Sequence, residues 1–277
     1  MSHSINSSQP NVQFFEETTP TKKSSSPARW QIYLWRIAVI IVLALLWEWG
    51  ANTGFLDHRF VGRPSGIGHA LYEIMTGPTI WTHASSTIIA TILAFFIGSI
   101  LGIACGLVLA AWPLLDDILD PIIVGLNSIP RVALAPLFIL WFGIGIESKA
   151  FAGFSLVFFI LLITTRSGLK NADPDLLLMA RTLCASKLQT FLTVVVPISV
   201  PAIFSGLELA AVYSLLGVVV AEMIASQAGL GVVVSQYAQT FAINETFAVL
   251  IILGVLSALL ATAVQLVEAW VLKWKDE

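Results

Sequence analysis

Charge is scarce in this chain of 277 residues. Only 11% of it is Asp, Glu, Lys or Arg, while 57% is hydrophobic; an ordinary soluble domain carries about 25% charge. So few charges cannot clothe a soluble fold of this length. From Ile74 to Leu115, and again from Thr246 to Val267, there is no charged residue at all. A hydrocarbon core about 30 Å thick takes about 20 apolar helical residues to cross, so the chain is expected to be an all-α membrane protein. Other scarcities exclude other classes. The two cysteines, Cys105 in an apolar run and Cys184 in a charged segment, form no disulfide framework. A net charge of −3 with no basic stripe excludes nucleic acid as a partner. His3, His58, His69 and His83 are dispersed without metal-ligand spacing. There is no Gly-Lys dipeptide, hence no phosphate-binding loop of the chain's own, and no nucleophile has a base nearby. Neither a catalytic site nor a cofactor is expected.

The first thirty residues differ from the rest. They hold seven serines, three prolines and the pairs Glu16-Glu17 and Lys22-Lys23. Such a composition buries too little to fold, so residues 1–30 are read as a disordered cytoplasmic tail and residues 31–277 as the transmembrane domain. A signal peptide competes for the apolar run after Arg36, but its leader would be unusually long and a small-residue cleavage site is not obvious. The run is read as an uncleaved first span.

Hydropathy places spans at about Gln31–Ala51, Ser86–Ala111, Pro121–Phe142 (interrupted by Pro130 and Pro136), Phe151–Thr165 and Phe247–Leu272. Between the last two, Leu188–Leu207 and Pro201–Met223 each qualify. Five to seven spans are arguable, and six is chosen. The polar connection at 52–84 is expected to hold a short helix capped by Ser65, with Ile67, Leu71 and Ile74 on one face. Six spans put Lys22, Lys23, Arg29, Arg36, Arg166, Lys170, Arg181, Lys187, Lys273 and Lys275 on one side, against Arg59, Arg63 and Lys149 on the other. The richer side is cytoplasmic by the positive-inside rule, which expects both termini there.

A few residues say more than hydropathy. Ala94, Gly98, Gly102, Gly106 and Ala110 recur every fourth position and make a smooth stripe for helix packing. Arg131 follows Pro130 inside a span, where an unpaired charge is costly; it marks either a kink lining a pathway or the interfacial end of a helix. Glu208 and Glu222 lie fourteen residues apart in the fifth apolar block. Each is a candidate for the translocation path or for a structural ion pair.

The segment from Asp173 to Pro197 has a distinct pattern. A turn at Asp173-Pro174 starts a short helix, a break follows near Ala185-Ser186, and a second short helix runs to Val-Val-Val-Pro197. This resembles the coupling loop of bacterial ATP-binding-cassette importer permeases, the Glu-Ala-Ala…Gly…Ile-x-Leu-Pro motif. Ala180 falls on the last alanine, and Val194, Val196 and Pro197 fall on the end. Ser128-Ile-Pro, Ala133-Leu-Ala-Pro-Leu-Phe-Ile-Leu-Trp-Phe-Gly-Ile-Gly, Ile203-Phe-Ser-Gly-Leu, Gly217-Val-Val-Val-Ala-Glu-Met and Gly229-Leu-Gly extend the likeness over about residues 30–275. Within that superfamily the chain is similar to the nitrate/sulfonate/taurine group. It departs where Leu178 replaces the motif's Glu, Met179 its first Ala and Cys184 its Gly, and the stretch from Pro113 to Asp120 is more acidic than the group's usual pattern.

The resemblance implies a bacterial inner-membrane permease subunit, most simply one of an identical pair, for a small solute such as a sulfonate, taurine, nitrate or bicarbonate. A separate cytoplasmic ATPase would bind ATP and dock on about 171–197, with Leu178, Met179, Ala180, Arg181, Cys184, Ala185, Ser186 and Pro197 forming the coupling loop. A periplasmic or lipid-anchored binding protein would deliver the cargo. A stand-alone secondary transporter or channel is the alternative. It would show inverted repeats and paired charges at the midplane, and no internal repeat is evident.

Overall fold

The structure, a computed structural model of the chain, describes residues 29–275, so most of the 1–30 tail lies outside the described residues. Twelve α-helices and no strand occur among the described residues. Residues up to Leu46 form one unit and those from Trp47 onward another. The first unit consists, in its described part, of most of α1 (Arg29–Asn52), whose exposed face carries Trp35, Ile40 and Leu45. A 24-residue apolar helix with such a surface suits lipid rather than water.

The second unit begins with the end of α1. A single turn, α2 (His58–Val61), leads to α3 (Pro64–Thr76), which tucks Ile67 and Ala70 against Ala248, Trp47 and Phe247. The expected Ser65 cap is not what forms. Pro64 occupies the first turn, where its missing N–H costs nothing. Ser65 instead points back at Glu48: its N–H donates at 3.0 Å and its hydroxyl at 2.9 Å.

Among the described residues five helices are long and apolar enough to cross a membrane, or six if one bent pair is a single span. After α1 come α4 (Thr79–Ala111), the pair α5 (Pro113–Ser128) and α6 (Ala135–Phe142), and α7 (Ile146–Lys170). Then follow the short α8 (Pro174–Thr182) and α9 (Lys187–Thr190), the long α10 (Val196–Ile224), the short α11 (Leu230–Gln239) and α12 (Ile243–Val271). A count of five or six agrees with the sequence reading, but the ends of the helices do not. The second helix starts at Thr79 rather than Ser86, because Ser86 and Thr87 are engaged inside the fold. The third starts at Pro113 rather than Pro121, because its acidic turn has cationic partners on α7. The rivals for the fifth span merge into one helical run, Lys187–Ile224.

The packing of α4 on α7 explains the glycine row. A Cβ on Gly98 would lie 2.7 Å from Val157 Cγ1, one on Gly102 2.6 Å from the Phe158 carbonyl oxygen, and one on Gly106 2.8 Å from Thr165 Cβ. Small residues thus let two backbones approach closely, which is how apolar helices gain contact where no water is expelled. On the other side of α7, Gly153 meets Ala94 and the Ser214 carbonyl, and Gly217 of α10 packs on Gly153. α4, α7 and α10 form the buried centre of this unit, around Ala90, Val157, Leu161, Ala210 and Val218.

Candidate functional site

Three places in the second unit carry polar chemistry or depart from regular helix. The first is the segment between α7 and α10. Asp173 Oδ1 accepts from the Asp175 N–H at 2.9 Å, and Pro174 opens α8. The helix ends after Thr182, and Cys184 takes φ +55°. An L-residue seldom adopts this left-handed conformation, which glycine reaches freely. The bend expected of the motif's glycine is therefore kept, with a side chain in it. The Ala185 N–H then donates to the buried Ala180 carbonyl at 3.1 Å, closing the loop on itself. Ser186 starts α9 through a reciprocal cap with Gln189: the Gln189 N–H donates to Ser186 Oγ and the Ser186 N–H to Gln189 Oε1.

Phe191–Val195 is a π-helical turn. Pro197, with no N–H to give, stands in the first turn of α10 just after it. The motif's Val194, Val196 and Pro197 thus lie where the run from Lys187 changes pitch without breaking. That run has 38 residues, about 57 Å at helical rise, against a hydrocarbon core of about 30 Å. The run is therefore longer than a crossing needs. Around the bend Leu178, Met179, Leu183 and Leu188 are exposed by 60%, 54%, 76% and 68%. A cluster of exposed apolar side chains of this kind suits a cover of lipid or of another protein.

The second place is the break in the third span. Helices α5 and α6 meet at 77° across Ile129-Pro130 and a 3-10 turn, Arg131–Leu134. Pro130 cannot donate and Ile129 is held extended before it, which ends α5. Arg131 opens the 3-10 turn at this break. Its guanidinium stacks 4.0 Å from the Phe159 ring centroid, and Nη2 donates to Asn127 Oδ1 at 3.0 Å and to the Leu126 carbonyl at 3.3 Å. At the start of α5, buried Asp116 binds Arg166 and Lys170 of α7, and Asp120 Oδ1 lies 2.6 Å from Arg166 Nη1. The unusual acidic stretch has its counter-ions here, at the last residue of α7 and one turn before it.

The third place is a buried polar knot at the far end of α10. Glu222 and Lys149 are 1% and 3% exposed, with Nζ 3.4 Å from Oε1. The Thr87 hydroxyl donates to the carboxylate at 2.9 Å, and the Gly231 N–H donates to Oε2 at 3.0 Å. Lys149 also donates to Ser86 Oγ at 2.9 Å and to the Ala228 carbonyl. The Leu230 N–H reaches Thr87 Oγ1 and the Gly229 N–H reaches His83 Nδ1. A Cβ on Gly229, at φ +135°, would lie 2.1 Å from the Glu222 carboxyl carbon. The Gly229-Leu-Gly motif is thus the close approach of a backbone to a buried carboxylate. Four segments are tied here: α4, α7, α10 and the entry to α11.

Of the residues proposed for a path, Glu222 is enclosed, with both its oxygens engaged. Arg131 and Glu208 remain half-buried on accessible faces. The neighbour of Glu208 is no cation but another carboxyl group, Glu268 of α12. Lys149 counted in the sequence only as a charge of the outer set. Its intramembrane partner is 73 residues away, and an unpaired buried Glu was the one available signal.

The fold and the sequence both have known counterparts. The putative aliphatic sulfonates transport permease SsuC of Escherichia coli K12 is 30% identical over 260 residues, 92% of this chain and 95% of that one. The taurine transport system permease TauC of the same organism is 27% identical over 247 residues, 87% and 90% of the two chains. A chain in the inward-facing structure of the MetNI methionine transporter matches in fold at a TM-score of 0.61 and 18% identity. That match covers 69% of this chain and 97% of the other. Residues 98–276 match the model of one family, and the chain belongs to it: the binding-protein-dependent transport system inner membrane components.

Proposed function

We propose that this permease subunit imports a small anionic solute across a bacterial inner membrane, as one of an identical pair driven by separate cytoplasmic ATPases. The observation that carries this reading is the coupling segment. It exposes Leu178, Met179, Leu183 and Leu188, and from Lys187 it runs without interruption into a central membrane helix, 38 residues in all and longer than a crossing needs. An ATPase docked on it would move α10 directly. α10 is packed against α7 and bound to α4 and α11 through the Glu222 knot, so the displacement would reach the opposite end of the molecule as a rigid-body tilt rather than a local flex.

In this reading ATP is bound only by the partner, and the chain needs no cofactor. The charge asymmetry supports cytoplasmic termini, the tail at 1–30 included, with 31–277 forming the permease domain and about 171–197 the docking segment. A binding protein would present cargo at the side of the Glu222 knot. Gly254, Ala258 and Thr262 leave an exposed small-residue row on α12, which supports packing against a second copy. The names of the sulfonate and taurine relatives support a small anion.

Purification of the tagged chain from detergent-solubilised native membranes tests the reading, with mass spectrometry of what accompanies it. Recovery of an ATP-binding-cassette ATPase, and uptake into vesicles that stops without ATP, is the expected result. A chain that purifies alone where a control importer stays whole, and that transports without ATP, would overturn it in favour of a stand-alone transporter.

A further inference from the structure

We propose that Arg131 is the residue that contacts the anionic group of the solute in transit, and that Phe159 holds its guanidinium ready between passages. This rests on the importer reading above and adds a specific contact to it. The first observation is one of compensation. Lys149 has Glu222, and Arg166 and Lys170 have Asp116, but Arg131 has no carboxylate within ion-pair distance among the described residues. It nevertheless sits at the 77° break between α5 and α6, a pair long and apolar enough together to enter a membrane. A cation in such a segment without a counter-ion is costly against lipid and is tolerated where it faces water or a polar cavity.

The second observation is how it is held. The stack on Phe159 at 4.0 Å fixes the guanidinium without neutralising it, because a ring face offers no formal charge. Both of its hydrogen bonds come from Nη2, to Asn127 Oδ1 and the Leu126 carbonyl. Nε and Nη1 make none among the described residues, so donors remain for an acceptor from outside the protein. Guanidinium donors in a fixed plane suit sulfonate, nitrate, carboxylate or bicarbonate oxygens better than a neutral solute.

The third observation gives the side of approach. Behind Arg131, between Ala135, Ala152, Leu156 and Gly217, lies a cavity of about 10 Å³, which is room for one water at most. An anion therefore reaches Arg131 from its open side and is not trapped behind it. A contact of this kind is transient, as a transport pathway requires.

The test is residue-resolved and independent of the unknown cargo. The native complex in lipid nanodiscs is treated with phenylglyoxal, which modifies accessible arginines, and the extent at each arginine is read by mass spectrometry. Nitrate or methanesulfonate replaces gluconate at constant ionic strength, with glycerol as the neutral control. Arg131 is expected to react, and nitrate or methanesulfonate to slow that reaction by the factor 1 + [anion]/Kd, about twofold at the Kd. Exposed Arg59 and Arg63 should react regardless of the anion. Phe159→Leu, which releases the guanidinium, should speed the reaction at Arg131 in gluconate.

Failure of Arg131 to react while Arg59 and Arg63 do, or a rate indifferent to nitrate and methanesulfonate, would overturn the proposal. An unchanged rate in Phe159→Leu would overturn the role given to Phe159. The importer reading fails separately, by the absence of an ATPase from the purified complex.

Discussion

Replacing Lys149 with methionine removes the one cation beside Glu222 and changes little in volume. Glu222 would keep the Thr87 hydroxyl and the Gly231 N–H, but its charge would be left enclosed with no counter-ion. Breaking a buried pair from one side costs about 3–5 kcal/mol. For a chain of this size each kcal/mol lowers the midpoint by about 2–4 °C, so thermal unfolding in detergent should fall by roughly 6–20 °C. Adding Glu222→Gln to the same chain neutralises the remaining partner. An amide can still accept from Thr87 and Gly231, so the double variant should recover more than half of the loss. The two effects would be strongly non-additive, as for groups in direct contact. A Lys149→Met chain as stable as its parent, or a double variant that loses the sum of the two single losses, would refute the knot as the clamp between α4, α7, α10 and α11.

Further substitutions probe the other contacts. Gly102→Ala would set a Cβ 2.6 Å from the Phe158 carbonyl and should cost about 1–3 kcal/mol by forcing α4 off α7. Gly68→Ala meets nothing within 4 Å and should leave the unfolding midpoint unchanged or raised. Asp116→Ala removes the buried carboxylate shared by Arg166 and Lys170 and leaves Arg166 with Asp120 alone; it should destabilise by about 1–3 kcal/mol. Asp117→Ala, on the exposed side of the same turn, should stay within about 0.5 kcal/mol; thermal unfolding separates the two. Cys184→Gly relieves a left-handed residue at about 1–2 kcal/mol and restores part of that as chain entropy. A net gain under about 1 kcal/mol is expected, seen as slower amide exchange confined to residues 174–190.

Membrane helices were legible in the sequence because a single solvent property, apolarity over some twenty residues, defines them. The two short helices between Asp173 and Thr190 were legible because their turn residues, Asp173-Pro174 and Ala185-Ser186, act through local backbone chemistry. Helix ends were misplaced wherever a distant partner makes a polar residue fit to be helical. Ser86 and Thr87 belong to α4 because Lys149 and Glu222 receive them, and Asp116 belongs to α5 because Arg166 does. Ser65 is the converse. It carries the residue type of a cap, yet Glu48, brought close by tertiary folding, takes its hydrogen bonds. Local pattern likewise missed that two rival spans between Leu188 and Met223 are one helix, since Pro197 and Pro201 looked like ends. The π-helical turn before Pro197 absorbs its missing donor, and the helix continues.

Exposed Cys184 lies in the segment proposed for docking, while Cys105 is partly buried in a membrane helix, so a cross-linker can be placed on native chemistry alone. A cleavable maleimide photo-cross-linker attached to Cys184 in native membrane vesicles reads out what sits on this loop. The account predicts one principal adduct, an ATP-binding-cassette ATPase, that disappears in Cys184→Ser. Capture of no ATPase at Cys184, from membranes in which the ATPase co-purifies with the permease, would contradict the claim that this segment is where the transporter is driven.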